Sequence, residues 1–511
     1  MKPNVGDVFC VYDEKLQGYA ACQVIEIKAG TRKTQNLAAL LELDWAGEEL
    51  PGEDEVREMK PLYADYYFWN KELELSYVEG NVPKPYIKVG NVPPKTDAGT
   101  TSYGSWNVGS SLYRQRKWDR IPEDRRKAFK EAANDDTLIE LGGQRLRRST
   151  HVIDDEVLQS LKDWSELDNL PCLTRIIAKK TYADLQHYVN RNPFINELQW
   201  ENHGCKTIDV RNSGLERVIL RAGELEELYL GPNVEELHLT GPEAAGLVVH
   251  AHEDGRWITA GFYEGKPYGR GLERLGSLHV KGIKELDLKK VIDAYPELNE
   301  LRLWGKPGTI IHMECLDRLS GLTHFSTYDL FGFTGEQFPG PEKLQHLTWL
   351  WLTSLPAETA KAVKQKYKQE TANGLSLAIT KPRKPEWLQE NMLNPFRDWD
   401  GREHITAANA KKAAAVYKKT LAAMSSAAAN TGDGAADAAE LKQELLAVVT
   451  DYTEAFNKMD RRTGFIETVE REEIFTVLSE LLQTVQKRLA PANIDIDGQM
   501  LFDRFDELRE F

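Results

Sequence analysis

The sequence predicts a multidomain α+β protein: a small β-barrel-like domain, then a solenoid of stacked strands with a helical cap, then an α-helical bundle. Three observations carry this. In the middle third, a phrase keeps returning in which an apolar residue is followed by two others, an apolar residue, one other and an apolar residue. Before it, up to about Val92, short β-type runs show no helical period. After about residue 404, apolar stripes recur at steps of three and four. At 511 residues the chain also exceeds one ordinary core.

The first domain is assigned to 1–92. Runs at 8–12, 19–27 and 37–45, separated by Gly and charged turns, read as strands of a small barrel. Residues 93–111 are rich in Pro, Gly, Ser and Thr and read as a linker or ordered loop. Ile121-Pro122-Glu123-Asp124 places Pro and acids where a helix starts, and 154–161 and 182–189 read as further short helices. We therefore assign 93–194 to a linker and helical N-cap, because a terminal repeat would otherwise leave apolar surface in water.

The solenoid is assigned to 195–380. Its phrases are Ile195-x-x-Leu198-x-Trp200, Leu215-x-x-Val218-x-Leu220, Leu225-x-x-Leu228-x-Leu230, Val234-x-x-Leu237-x-Leu239, Leu275-x-x-Leu278-x-Val280, Ile283-x-x-Leu286-x-Leu288 and Leu298-x-x-Leu301-x-Leu303. Leu198, Ile208, Val218, Leu228, Leu237 and Leu247 share one slot at steps of about ten residues, whereas a leucine-rich coil needs roughly 20 to 29. Two phrases per coil follow, with Gln199, Ile219 and His238 projecting from one side and Asp209, Tyr229 and Val248 from the other. Beyond 275 the spacing lengthens, leaving room for outer helices such as 288–295, and a strand near 375–379 closes the stack. Lys381-Pro382-Arg383-Lys384-Pro385 breaks regular structure, so 381–403 reads as a linker. The bundle, 404–511, begins with an Ala-rich helix. Two apolar stripes follow, one through Leu441, Leu445, Val449, Tyr452 and Phe456, the other through Ile474, Leu478, Leu481, Val485 and Leu489.

Charge and cysteine usage narrow the function. Against 65 Lys and Arg stand 80 Asp and Glu, a net charge of −15 that disfavours nonspecific nucleic-acid or anionic-membrane binding and steers basic partners inward. Five scattered cysteines make neither a disulfide framework nor a zinc spacing. With no signal-peptide pattern and no long apolar run, a cytoplasmic location is expected.

Two groups of residues are candidates for binding a partner. The 250–274 excursion carries Arg256, Trp257, Tyr263 and Tyr268, and aromatic and Arg side chains together suit an interface centre. Its competing reading is a hairpin of 257–260 and 262–263 packed on the solenoid. The outward strand slots hold Tyr229, His238, His279, Asp287 and Arg302, with Trp304 nearby, and are expected to share a concave face. Neither His250-x-His252 nor His203-x-Cys205 has a second ligand pair, so no metal and no cofactor are expected. Asn493-x-Asp495-x-Asp497-Gly498 starts like a calcium loop, but Arg504 stands where a Glu is required. The basic run Arg114, Arg116, Lys117, Arg120, Arg125, Arg126, Lys127 and Lys130, with Arg145, Arg147 and Arg148, is the one hint of a phosphate backbone or an acidic partner domain, against the alternative of solvated faces or internal ion pairs.

Two stretches resemble known families. The repeat phrases resemble the leucine-rich-repeat superfamily over roughly 195–380, which implies a solenoid. Val5-Gly6-Asp7-Val8-Phe9, Tyr19-Ala20-Ala21-Cys22-Gln23-Val24 and Leu43-Asp44-Trp45 resemble the all-β immunity-protein family numbered twenty-six of bacterial polymorphic toxin systems. That resemblance implies a cytoplasmic protein that binds and silences a toxin. Some leucine-rich-repeat proteins of bacteria are ubiquitin ligases with a nucleophilic Cys in a helical C-terminal domain. Here 316–511 contains no cysteine, so that chemistry is not expected. No phosphate-binding Gly loop, Ser elbow or paired metalloprotease histidines occur, so the chain is expected to bind rather than catalyse. The expected function is a cytoplasmic immunity protein that neutralises a cognate toxin. The alternative is a scaffold or sensor subunit of a larger assembly such as an anti-phage defence complex.

Overall fold

In the computed structural model, described here for all residues except 31–35, 242–245, 264–269, 430–434 and 490–497, the apolar phrases become parallel strands. Their second and third apolar residues point inward and the residues between them point outward, as in Glu197–Trp200, where Leu198 and Trp200 are buried and Gln199 is half-buried. Eleven such strands pair in one long sheet, from Val152–Ile153 to Ser376–Thr380. A second, three-stranded sheet is made by Thr207–Val210, Glu227–Leu230 and Val248–His250. Between them the two sheets enclose one continuous core, which includes Leu198, Ile208, Val218, Leu228, Leu237 and Val249.

Two phrases per coil is therefore the observed arrangement for the early repeats. Gln199, Ile219 and His238 stand in register on the long sheet. On the short sheet Asp209 pairs with Tyr229, but Tyr229 pairs with His250 and Val248 pairs with Glu227, which corrects the expected row by two residues. Beyond His250 the second sheet ends, and helices Leu288–Ala294 and Ala357–Tyr367 cover that side. The Ile283 phrase is not a separate strand. It is the second half of Ser277–Asp287, a long strand that shifts register against Glu300–Ile311. Glycine is required at that bend: a Cβ on Gly305 would lie 2.2 Å from the Asp329 carbonyl, and one on Gly308 equally close to that of Ile283.

The N-terminal domain is an open sheet, not the expected barrel. Its order is Leu75–Glu79, Leu37–Gly47, Gly18–Lys28, Asp7–Asp13, Ile87–Asn91, all antiparallel, and the outer strands do not meet. Closure fails because other chain already covers one edge: Tyr77 exchanges backbone hydrogen bonds with Ser102 and Gly104. Residues 93–111 are thus an ordered part of this domain, with Val108 in its core and Trp106 packed against it. Apolar side chains cover both faces of the sheet, Val8, Cys10 and Leu41 on one and Phe9, Cys22 and Leu40 on the other, which explains the unbroken apolar run at 38–41.

The sheet domain and the solenoid form one compact unit, Met1–Pro382. Lys15 pairs with Glu235 at 2.8 Å, Lys117 with Glu216 at 2.9 Å, Lys84 with Glu370 at 3.2 Å and Glu14 with Arg256 at 3.4 Å. Each solenoid partner lies a few residues before a strand of the long sheet, so the N-terminal domain runs along the edge where those strands begin. The second unit, Arg383–Phe511, contains helices Ala407–Ala429, Ala435–Thr463, Thr468–Leu489 and Gly498–Leu508. They bury Leu445, Tyr452, Phe456, Ile474 and Phe505 together with Phe396 and Trp399 from the stretch before them. The calcium-like turn at 493–497 lies outside the described residues.

Candidate interaction surface

The outward side of the long sheet carries rows of side chains one strand spacing apart, about 4.8 Å. One row runs Arg175, Glu197, Arg217, Glu236, Thr259, Ser277, Glu300, His324, Trp349, Ser376, and the next runs Gln199, Ile219, His238, Gly261, His279, Arg302, Ser326, Trp351. At its start the surface neutralises itself. Arg175 pairs with Glu197 and Arg217 with Glu236, each at 3.0 Å, and Glu236 also faces His238 at 3.3 Å. The His238 hydrogen bond, working against burial and helped by the Arg217 charge, holds the Glu236 carboxyl below its ordinary value. Gly261 leaves the gap into which His238 folds, since a Cβ there would lie 2.2 Å from His238 Nδ1.

Glu300 is the electrostatic centre of the face. Its carboxylate pairs with Arg302, meets His279 Nε2 at 3.4 Å and accepts from Ser277 Oγ at 3.1 Å. Burial alone would raise this carboxyl. The His279 hydrogen bond and the charges of Arg302, His279 and His324 outweigh it and hold the group at about 2. Burial pulls neighbouring His324 below the usual imidazole value, against the raising charge of Glu300.

Towards its far end the surface becomes aromatic, and Tyr263, Trp304 and Trp349 each carry a cation from within the chain. Lys281 Nζ stands 4.5 Å from the Trp304 ring and 5.4 Å from Tyr263, and the Arg302 guanidinium stands 4.9 Å from Trp349. Trp351 packs against Trp349 at 4.4 Å, is 42% exposed, and has no cation over it among the described residues. Trp349, Trp351, His324 and Glu300 were not among the expected site residues. The phrase Leu347-x-x-Leu350-x-Leu352, which was not among the expected phrases, carries both tryptophans in its outward slots and is the signal by which they could have been found.

The expected residues separate into four places. His238, Tyr263, His279, Arg302 and Trp304 share the outward face of the long sheet. Tyr229 belongs to the short sheet instead, where it stacks on His250 at 4.2 Å, lies under Arg211 and donates to Glu227 at 2.5 Å. Asp287 also leaves the face, because it ends a strand and caps helix Leu288–Ala294, accepting from Lys289 N and facing His312 at 2.8 Å. Arg256 and Trp257 stand at the edge beside the N-terminal domain, and Thr259–Tyr263 is one parallel strand of the long sheet, so the 257–263 stretch forms no hairpin. Tyr268 lies outside the described residues.

Other candidate groups are engaged internally. His203 Nδ1 accepts from the Cys205 backbone at 3.0 Å, and its Nε2 faces the Arg221 carbonyl at 2.7 Å. From the basic run, Arg126, Lys130, Arg147 and Arg148 pair with Asp119, Asp65, Asp136 and Asp135 at 3.0 to 3.3 Å. In the C-terminal unit His404, Glu467 and Glu470 lie close together, but the Arg402 guanidinium already pairs with Glu470.

No protein-family profile matches this chain, and no curated protein matches it. Among solved structures it is similar to an internalin of Listeria monocytogenes at 13% identity, over 47% of this chain and 84% of the internalin, with a TM-score of 0.26. At that TM-score the likeness carries no argument, and the repeat architecture rests on the strand pairing itself. No described helix is long and apolar enough to cross a membrane.

Proposed function

We propose that this is a non-catalytic protein-binding protein whose partner seats on the outward face of the long sheet, and that this partner is a basic toxin silenced in the cytoplasm of the producing cell. The observation that supports the reading is the far half of that face, where Trp349 and Trp351 and the Glu300–Arg302–His279 cluster stand together on a framework held rigid by eleven paired strands. Aromatic and Arg side chains on a fixed scaffold make efficient anchors because they bury large area with little ordering cost. A net charge of −15 favours encounter with a basic partner. Co-expression with the product of the adjacent gene tests this. Protection of growth is expected from the intact protein and its loss from Arg302→Glu, whereas equal killing with and without the intact protein rejects the reading.

A second reading, a scaffold or sensor subunit such as one in an anti-phage defence complex, draws on the C-terminal helices, which build a core of their own. Removal of 383–511 separates the two. An antidote acting through the long sheet keeps protecting, and a scaffold loses its assembly.

A further inference from the structure

Where the last strands of the long sheet approach the N-terminal domain, a cleft of about 560 Å³ opens between them. Tyr12 and Trp106 stand on one wall and Trp349 and Trp351 on the other, and the lining also includes the acidic residues Asp13, which accepts from Leu16 N, and Glu79, whose backbone carbonyl accepts from Trp106 Nε1. Tyr12 is 51% exposed and Trp351 42%, so the rings are within reach of a ligand. The described lining contains no Lys and no Arg. Elsewhere on this face Tyr263 and Trp304 lie against Lys281, and within the cleft Trp349 lies against Arg302, a cation that reaches it from another strand. Trp351 lies two residues after Trp349 on the same strand and repeats the ring without the cation.

We propose that this cleft binds an arginine or lysine side chain of a basic protein segment, seated over Trp351 with Asp13 and Glu79 around its charge. The inference deepens the reading above by naming the chemistry the partner presents at the far end of the same face. Two physical terms converge on it. An indole face attracts a cation most strongly when water is partly excluded, as between two walls. The lining holds two acidic residues and neither Lys nor Arg, and although Lys15 acts on Asp13 and Arg302 reaches Trp349 from outside it, a cationic side chain seated over Trp351 adds the attraction of both acids. A neutral ligand such as a sugar uses the rings but not the charge of the acids.

The test uses the full chain and three probes: a decapeptide with three arginines among Gly and Ser, the same peptide with citrulline in place of arginine, and a neutral hexasaccharide. Binding is followed by indole fluorescence and calorimetry at two salt concentrations. The arginine peptide is expected to bind at least about tenfold more tightly than the citrulline peptide, and more weakly as salt rises. Trp351→Ala and the double variant Asp13→Asn with Glu79→Gln are each expected to weaken it by about tenfold, and Trp351→Phe by less. Circular dichroism and the melting temperature check that each variant is folded. Equal binding of the citrulline peptide, preference for the hexasaccharide, no binding of the arginine peptide at millimolar concentration, or affinity unchanged in the folded variants overturns the proposal. Protection of growth that survives the cleft variants but not Arg302→Glu removes the cleft and leaves the proposed function standing. Protection absent from the intact protein removes the function, while peptide binding still decides the cleft.

Discussion

The two halves of the long sheet share one backbone and one pattern of buried leucines, yet their outward faces differ in kind. In the first half Arg175 meets Glu197, Arg217 meets Glu236, and His238 folds into the space left by Gly261. In the second half Glu300 draws Arg302 and His279 together, and beyond them the rings of Trp349 and Trp351 face outward. The repeat settles the framework, and the residues between the leucines settle what each stretch is able to bind. Both halves pair their charges within the chain, and what the second half adds is exposed aromatic area, with Trp351 42% exposed.

If the framework is common to both halves, its loss should cost the same in each. Leu237→Ala and Leu350→Ala remove fully buried side chains, one from each half, and both are expected to lower stability by about 2–5 kcal/mol in urea denaturation. Two separate transitions, with each variant shifting only one of them, show that the halves unfold separately.

Charge provides a finer comparison, between Glu300 on the face and Glu42 in the N-terminal domain. Glu42 is buried and accepts from the backbone of Gly109 and Leu112, where helix Ser110–Asp119 begins, but burial outweighs these bonds and raises its carboxyl to about 7. The signs are opposite. Glu300 is held at about 2 against an unfolded value of 4.5, so its contribution is fully present above pH 4.5 and fades as pH falls towards 2. Glu300→Gln should therefore lose up to about 3 kcal/mol at pH 7 and match the parent near pH 2. For Glu42 the folded form holds its proton more tightly than the unfolded one, so stability falls as pH rises from 4.5 to 7. Glu42→Gln should gain about 2 to 3 kcal/mol at pH 8 and nothing at pH 4, seen as melting-temperature profiles that coincide at pH 4 and separate as pH rises.

The smallest effect belongs to the self-neutralised end. Arg175→Ala breaks a partly exposed pair and is expected to cost under about 1 kcal/mol without altering growth protection. A loss of protection there moves the binding face to the first half.

Much of this was legible in the chain. Period-two burial and the ten-residue step depend on each residue and its near neighbours, so the strands, the two-phrase coil and the helices of the C-terminal unit could be read directly. The signal failed where register rests on pairing across the coil, as at His250, which replaces Val248 beside Tyr229. It failed again where a strand bends at Gly305 and Gly308, which made one long strand look like two phrases.

By itself the sequence determined which side chains are buried and that they stack, because apolar spacing is a local property. Only the tertiary structure decided which residues between them are available. Arg256 is engaged by Glu14 and Lys117 by Glu216, partners 242 and 99 residues away along the chain. The cleft beside Trp351 likewise exists only because the first residues fold back along the edge where the last strands begin. Pairing between residues so far apart leaves no periodic trace, since it is chosen by packing and charge in three dimensions.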